Sequence, residues 1–217
     1  MRGLLDKDLR LAIRRKNVLV IFLIVTVIMG FSVGGVFTVG YLALLATIIA
    51  VSTVSYDEAD NGMEFLMTLP FSRKTYVREK YLLSLILGAG AILIGAVIVY
   101  GIGLVGIGSS SEPVSLVQLL PILPGVFMTA IIIIPLQLKF GMEKSRIALA
   151  ILIGGVFVLT YFLRGILGSD ADTIPASAVV FAVNNPSIVL LIAIACEAVL
   201  FFISYFISVR IVEKKEY

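Results

Sequence analysis

The sequence predicts an all-α integral membrane protein with six transmembrane helices, an N-terminal amphipathic helix and a helix in a long cytoplasmic loop. Apolar residues make up 60% of the 217 residues and charged residues only 14%, whereas a soluble domain usually carries about 25% charge. The mean hydropathy is +1.12. Polar intervals divide the apolar residues into spans, and the basic residues collect in alternate intervals. We therefore expect one transmembrane domain over residues 1–217.

Residues 1–16 predict an amphipathic basic helix that lies on the inner membrane surface. Its apolar residues fall at helical spacing on one face, namely Leu5, Leu9, Ala12 and Ile13, with Leu4 beside them. The basic residues of the segment lie elsewhere around the helix. Their role in setting orientation is compatible with the surface-helix interpretation.

The interval from Asn17 to Tyr56 contains 40 residues without a charge. A transmembrane helix needs about 20 apolar residues, so this interval predicts a helical hairpin. We place its turn within Gly30–Val36, where glycines cluster.

The stretch Ser55–Tyr81 is the only long polar interval within the apolar sequence. Its first half is acidic, its second half is basic, and apolar residues including Phe65 and Leu66 lie between them. A simple connection would not need these apolar side chains, so we interpret residues 55–81 as a docking element. Ser72 predicts the N-cap of a helix that continues through Tyr81 into a third span.

The third span is expected to end near Val105, and the remaining spans follow in order. The fourth covers roughly Leu116–Leu138 with a proline kink near Pro135, and a short charged loop, Lys139–Arg146, precedes the fifth span, which ends near Leu167. Residues 176–183 are apolar but too few to span, so we expect them at the outer interface. The sixth span covers Ser187–Val209.

The orientation follows from the lysines and arginines. With six spans, both termini, the 55–81 loop and Lys139–Arg146 share one side, and this side contains all of the 17 basic residues except Arg164. Cytoplasmic loops are rich in such residues, so both termini are predicted to be cytoplasmic.

The sequence offers little for catalysis. It has no histidine, no Walker nucleotide-binding loop and no metal-ligand spacing. The single cysteine, Cys196, is expected to be a small buried apolar residue. We expect no enzymatic activity and no cofactor or metal in this chain.

Glu197 is the one ionisable residue predicted to lie deep in the membrane. A carboxylate there costs several kcal/mol unless it is protonated, paired or hydrated. Glu197 is therefore either part of a membrane pathway or a protonated packing residue. Arg164, near the outer end of its span, is a weak candidate as its partner.

The motif of the long loop resembles that of the small bacterial ABC type-2 exporter permeases, and most closely the permeases of phenol-soluble-modulin exporters. The residues that carry the resemblance are Ser55, Tyr56, Asp57, Glu58, Met67, Leu69, Pro70, Ser72, Arg73, Tyr76, Lys80 and Tyr81.

The resemblance implies a permease in the bacterial cytoplasmic membrane that exports an amphipathic or hydrophobic substrate, such as a cytolytic or antimicrobial peptide. The expected partners are a second permease copy, identical or different, the lipid bilayer and a separate ABC ATPase that holds ATP and Mg; no nucleic acid is expected. The loop would form a coupling helix on the ATPase. Its expected contact residues are Asp57, Glu58, Glu64, Phe65, Leu66, Leu69, Pro70, Phe71, Arg73 and Lys74.

Two other functions remain open from the residues alone. One is a proton-coupled secondary transporter that uses Glu197 as its proton carrier, although the docking loop would then have no evident use. The other is a membrane scaffold that transports nothing.

Overall fold

The computed structural model describes residues 2–14, 16–58, 62–105, 116–167 and 184–215. Within these ranges all regular structure is helical, which confirms the predicted all-α class. The helices are α1 (Arg2–Arg14), α2 (Lys16–Ser32), α3 (Gly35–Glu58), α4 (Gly62–Met67), α5 (Arg73–Val105), α6 (Leu116–Leu119), α7 (Ile122–Leu167) and α8 (Pro186–Lys214).

Among the described residues, four helical segments are long and apolar enough to cross a membrane. They are Gly35–Glu58, Arg73–Val105, Ile122–Gly141 and Ser187–Lys214. Helix α2 is equally apolar but has 17 residues, which gives a length of about 25 Å. The protein is thus a multi-pass membrane protein. The fifth span stays a prediction, because most side chains of 142–167 lie outside the description.

The first hairpin turn lies where the sequence places it. Helix α2 ends at Ser32 and α3 begins at Gly35. Gly34 between them has a φ of 125°, which L-amino acids with a side chain rarely adopt. The turn within Gly30–Val36 is therefore confirmed.

The predicted break between the fourth and fifth spans at Lys139–Arg146 is confirmed, but it is much shorter than the predicted loop. Two helical segments of α7 meet at Gly141, whose dihedrals are not helical (φ 73°, ψ −179°). A glycine can adopt this backbone conformation without steric cost, so one residue takes the place of a loop. Pro135 retains helical dihedrals inside α7, and the break lies at Gly141 rather than at the proline.

Helix α3 packs against α1, α2, α5 and α7 and is the centre of the bundle. Two glycines of α5 permit close approaches to neighbouring helices. A Cβ at Gly88 would lie 2.7 Å from Val126 Cγ1, and one at Gly95 would lie 3.2 Å from Val39 Cα. Gly88 and Gly95 therefore serve packing within the chain.

Helix α1 is confirmed as a helix, and one of its faces packs against the bundle. The residues that it buries are Leu4, Asp8 and Ala12, whereas Ile13 is 59% exposed. These buried positions are four residues apart and share one face. This face contains an aspartate, so apolar periodicity alone does not identify it as the face that packs on the bundle.

Several predictions fall outside the described residues. These concern residues 168–183 with the short apolar segment 176–183, the outer connection 106–115, and the side chain of Arg164. Residues 59–61 of the long loop are also outside the description.

Candidate functional site

The long loop folds around the two-turn helix α4. Its side chains divide sharply between the core and the surface: Met63 is 3% exposed and Leu66 is 8% exposed, whereas Phe65 is 68% exposed. Met63 and Leu66 pack in the same core cluster as Val54 and Tyr76. One face of helix α4 thus packs in the core, and the opposite face is exposed on the surface.

The chain after α4 makes a tight return into α5. The amides of Thr68 and Leu69 donate to the carbonyls of Phe65 and Leu66 at 3.1 and 3.2 Å. Ser72 then caps α5, because its hydroxyl accepts a hydrogen bond from the Thr75 amide at 3.2 Å. The predicted N-cap and the continuous helix from Arg73 to Val105 are confirmed.

Exposed residues of α4 and of the chain after it define what we name the docking surface: Glu64, Phe65, Leu69 and Pro70. Leu69 is 39% exposed beside the more exposed Phe65. An exposed aromatic side chain beside an aliphatic one and an acid is typical of the centre and rim of a protein interface.

Two predicted contact residues do not lie on this surface. Leu66 lies in the core and Asp57 is 5% exposed, so neither is available to a partner. Leu66 turns inward because it shares a helix face with Met63, three residues earlier. Asp57 turns inward because it belongs to the last turns of α3 and meets two lysines.

The other predicted contact residues occupy intermediate positions. The Arg73 guanidinium donates to the carbonyls of Val212 and Glu213 at 3.1 and 2.7 Å, which ties the start of α5 to the end of α8. Phe71 is partly buried against the core. Lys74 is 67% exposed, with its Nζ 3.8 Å from Glu213 Oε1.

Behind the docking surface lies a set of ionisable side chains that we name the charge cluster: Lys7, Asp8, Asp57, Glu79 and Lys80. Lys80 is 1% exposed; its Nζ lies 2.6 Å from Asp57 Oδ2 and also pairs with Asp8. Lys7 pairs with both of these aspartates. The cluster connects α1, α3 and α5 by charge-assisted contacts.

Two neutral hydroxyl groups complete the shell around these charges, one as a donor and one as an acceptor. The Tyr76 hydroxyl donates to Asp57 Oδ2 at 3.1 Å, and Lys80 Nζ donates to Thr53 Oγ1 at the same distance. Glu79 is fully buried and lies 3.7 Å from Lys80 Nζ, yet its oxygens have no hydrogen-bond partner among the described residues. Removal of Lys80 would therefore leave several buried carboxylates without adequate compensation.

The end of α3, the residue after α8 and the segment around Gly141 lie together beside α4. Lys215 Nζ lies 2.8 Å from Glu58 Oε1. A depression of 280 Å³ beside this pair is lined by Glu58, Met63, Glu64, Lys139, Phe140, Gly141 and Lys215. Gly141, Lys215 after the end of α8, and Glu64 of the docking surface thus line one continuous face.

Glu197 lies near the middle of α8, as predicted. Its Oε1 is buried and has no hydrogen-bond partner among the described residues. The expected burial of Cys196 is wrong: this neighbour is exposed, because the described residues do not cover its face of α8. Phe202 and Phe206 on the same helix are 60% and 66% exposed.

Sequence reasoning missed the charge cluster, although a signal existed. Asp8 has the spacing of Leu4 and Ala12, which places a carboxylate on a packed helix face. It also missed the contact of Tyr81, whose hydroxyl lies 2.6 Å from Ser204 Oγ; the Ser204 hydroxyl in turn donates to the Ile131 carbonyl at 2.6 Å. These hydrogen bonds connect α5, α8 and α7.

The fold and the site define a class of protein: a multi-pass α-helical membrane protein with a loop helix locked into one end of its bundle. The family described as ABC-2 family transporter protein matches residues 3–213. The chain therefore belongs to the ABC-2 transporter family and is the membrane component of an ABC transporter. No curated protein and no solved structure was found to match it.

Proposed function

We propose that this chain is the membrane-spanning subunit of an ATP-driven exporter, and that a separate ABC ATPase binds its docking surface. The observation that carries the proposal is Phe65, which is 68% exposed on a helix whose opposite side chains are buried. Such a residue suits a pocket on a soluble partner. ATP and Mg belong to that partner, and this chain supplies no hydrolytic chemistry.

The packing behind Phe65 supports a role in force transmission. An ATPase that closes on ATP must move the membrane helices through a stiff connection. Met63 and Leu66 join α4 to the core, and the charge cluster joins the neighbouring helix ends to α1. Because packed interiors deform little, a displacement of α4 would carry these helices with it.

We further propose that two copies, identical or different, pair along α8. An apolar helix can face lipid, but a carboxylate in lipid is costly. A seam or an aqueous cavity between copies is a more favourable place for Glu197. The proposed substrate is an amphipathic or hydrophobic molecule, with a cytolytic peptide as the leading candidate from the resemblance of the loop motif.

Co-purification tests the proposed function directly. The affinity-tagged chain should retain a protein with a Walker nucleotide-binding loop, and the reconstituted complex should transport only with hydrolysable ATP. Transport driven by a proton gradient without ATP would instead select a secondary transporter.

Glu197→Gln tests the proposed pathway. The change preserves shape and most hydrogen bonding but removes the charge. We expect lower export, or lower substrate-stimulated ATP turnover, at unchanged thermal stability of the complex. The matched control is Cys196→Ala on the adjacent exposed residue. Unchanged transport would reduce Glu197 to a packing residue, and lost assembly would make it a structural contact.

Cysteine labelling tests the proposed orientation, with both termini in the cytoplasm. In a Cys196→Ala background, single cysteines at Asp6, Lys74 and Lys214 should react with an impermeant thiol reagent only after the cells are opened. Cysteines at Ser110 and Asp172 should react in intact cells. Reaction at position 74 from outside would overturn both the orientation and the docking proposal.

A further inference from the structure

An apolar groove opens on the side of the bundle where α1 meets the transmembrane helices. It has a volume of 410 Å³ and is bounded by α1, α2, α3 and α5, and all of its lining residues are apolar. The groove is accessible from the side of the bundle, since Ile13, Leu23 and Ile94 are 59%, 41% and 52% exposed. Its residues on α2 begin at Leu19.

A cationic site adjoins the groove at the junction of α1 and α2. A second depression of 310 Å³ is lined by Arg14, Lys16, Asn17 and Val18. Arg14 and Lys16 are exposed and have no acidic partner among the described residues. Val18 of the cationic site and Leu19 of the groove are consecutive residues, so the two sites are continuous.

The groove extends away from the basic residues along α2. Lys16 begins α2, and Leu23 in the groove lies seven residues later, which is about 10 Å along the helix axis. A phosphate held at Arg14 and Lys16 would therefore extend its acyl chain along the α2 side of the groove. Basic residues beside an apolar cleft between membrane helices favour anionic headgroups.

We infer that this groove and the adjoining cationic site together bind one anionic phospholipid, from the leaflet on the side of α1. The phosphate would contact Arg14 and Lys16, and one acyl chain would lie against Leu19, Phe22 and Gly90. The inference does not depend on the proposed ATPase contact. A second copy of the chain is the competing occupant, but the basic residues of the cationic site do not favour an apolar contact between helices.

Native mass spectrometry of the purified chain tests the headgroup contact. Phosphatidylglycerol and phosphatidylcholine with the same acyl chains would be titrated separately. One nearby cation contributes about a fivefold difference in affinity for an anionic lipid. We expect Arg14→Gln and Lys16→Gln each to weaken phosphatidylglycerol binding about fivefold and to weaken phosphatidylcholine binding less, because the choline cation offsets the charge of its phosphate.

The matched control for charge is Arg10→Gln on the same helix. Arg10 lies outside the cationic site and pairs with Asp6 at 3.0 Å, so its replacement should leave the lipid preference intact. Equal binding of the two lipids by the wild-type chain would overturn the inference. Equal losses in Arg10→Gln and Arg14→Gln would also overturn it, because the effect would then be one of net charge.

Gly90→Leu tests the acyl-chain contact. A Cβ at Gly90 meets no atom within 4 Å, so a leucine would occupy the groove without displacing protein atoms. The matched control is Gly101→Leu on the same helix, where a Cβ is equally unobstructed and the groove is not involved. We expect only Gly90→Leu to lose phosphatidylglycerol, with both variants folded in detergent.

Two further outcomes identify other occupants. Binding of glycerol 3-phosphate as strong as that of the full lipid would overturn the acyl-chain contact. A change from dimer to monomer in Gly90→Leu, with lipid binding unchanged, would assign the groove to a second copy of the chain.

Discussion

Phe65→Asp is expected to abolish association with the ATPase while the membrane domain remains folded. Phe65 is 68% exposed, so the substitution costs little in the free chain. In the complex it would remove an apolar anchor and bury a charge without a partner. We expect the affinity for the ATPase to fall by more than about 30-fold, since central interface residues contribute 2 kcal/mol or more. Pull-down with the purified ATPase measures this loss.

Leu66→Asp is the informative comparison. The sequence alone treats residues 65 and 66 as equivalent contacts, but Leu66 is 8% exposed and packs in the core. A carboxylate there should lower thermal stability and yield of the chain itself. Full ATPase binding by Phe65→Asp would refute the docking surface, and equal stability of the two variants would refute the structure of α4.

Lys80→Met is expected to cause the largest loss of stability. The methionine keeps the aliphatic volume but leaves Asp8, Asp57 and Glu79 buried with only Lys7 to compensate them. Breaking a buried ion pair by removing one partner costs about 3–5 kcal/mol. Thermal unfolding in detergent should show a transition at markedly lower temperature, and α1 should become sensitive to protease.

The control for Lys80→Met is Arg78→Met, which removes an exposed cation two residues earlier on α5. This variant should unfold like the wild type. Adding Asp8→Asn to Lys80→Met removes one of the uncompensated carboxylates and should recover part of the lost stability. Equal unfolding of Lys80→Met and Arg78→Met would show that the charge cluster contributes nothing.

Local patterns in the sequence predict much of the fold. Runs of apolar residues locate the transmembrane helices, because lipid requires each span to satisfy its own backbone hydrogen bonds. The cap at Ser72 and the hairpin turn at Gly34 are also local features, and the structure has both.

The remaining features depend on contacts between residues that are distant in the chain. From the sequence alone, Asp57 is interpreted as a surface acid. In the structure it pairs with Lys80, 23 residues later in the chain, and with Lys7, 50 residues earlier. The inward face of α1 contains Asp8, which lowers its apolar character. The charges of Lys139–Arg146 predict a break between two spans, but they do not show that Gly141 alone forms it.

Site-specific photocross-linking at position 65 tests the central claim most directly. A benzoylphenylalanine would replace Phe65, with Tyr100 as the control position; Tyr100 is 65% exposed and lies about 40 Å along α5 from Arg73. In cells that contain the assembled transporter, position 65 should cross-link to an ATPase with a Walker nucleotide-binding loop, and position 100 should not. An assembled complex without this adduct at position 65, or with the same adduct at position 100, would contradict the proposed docking surface.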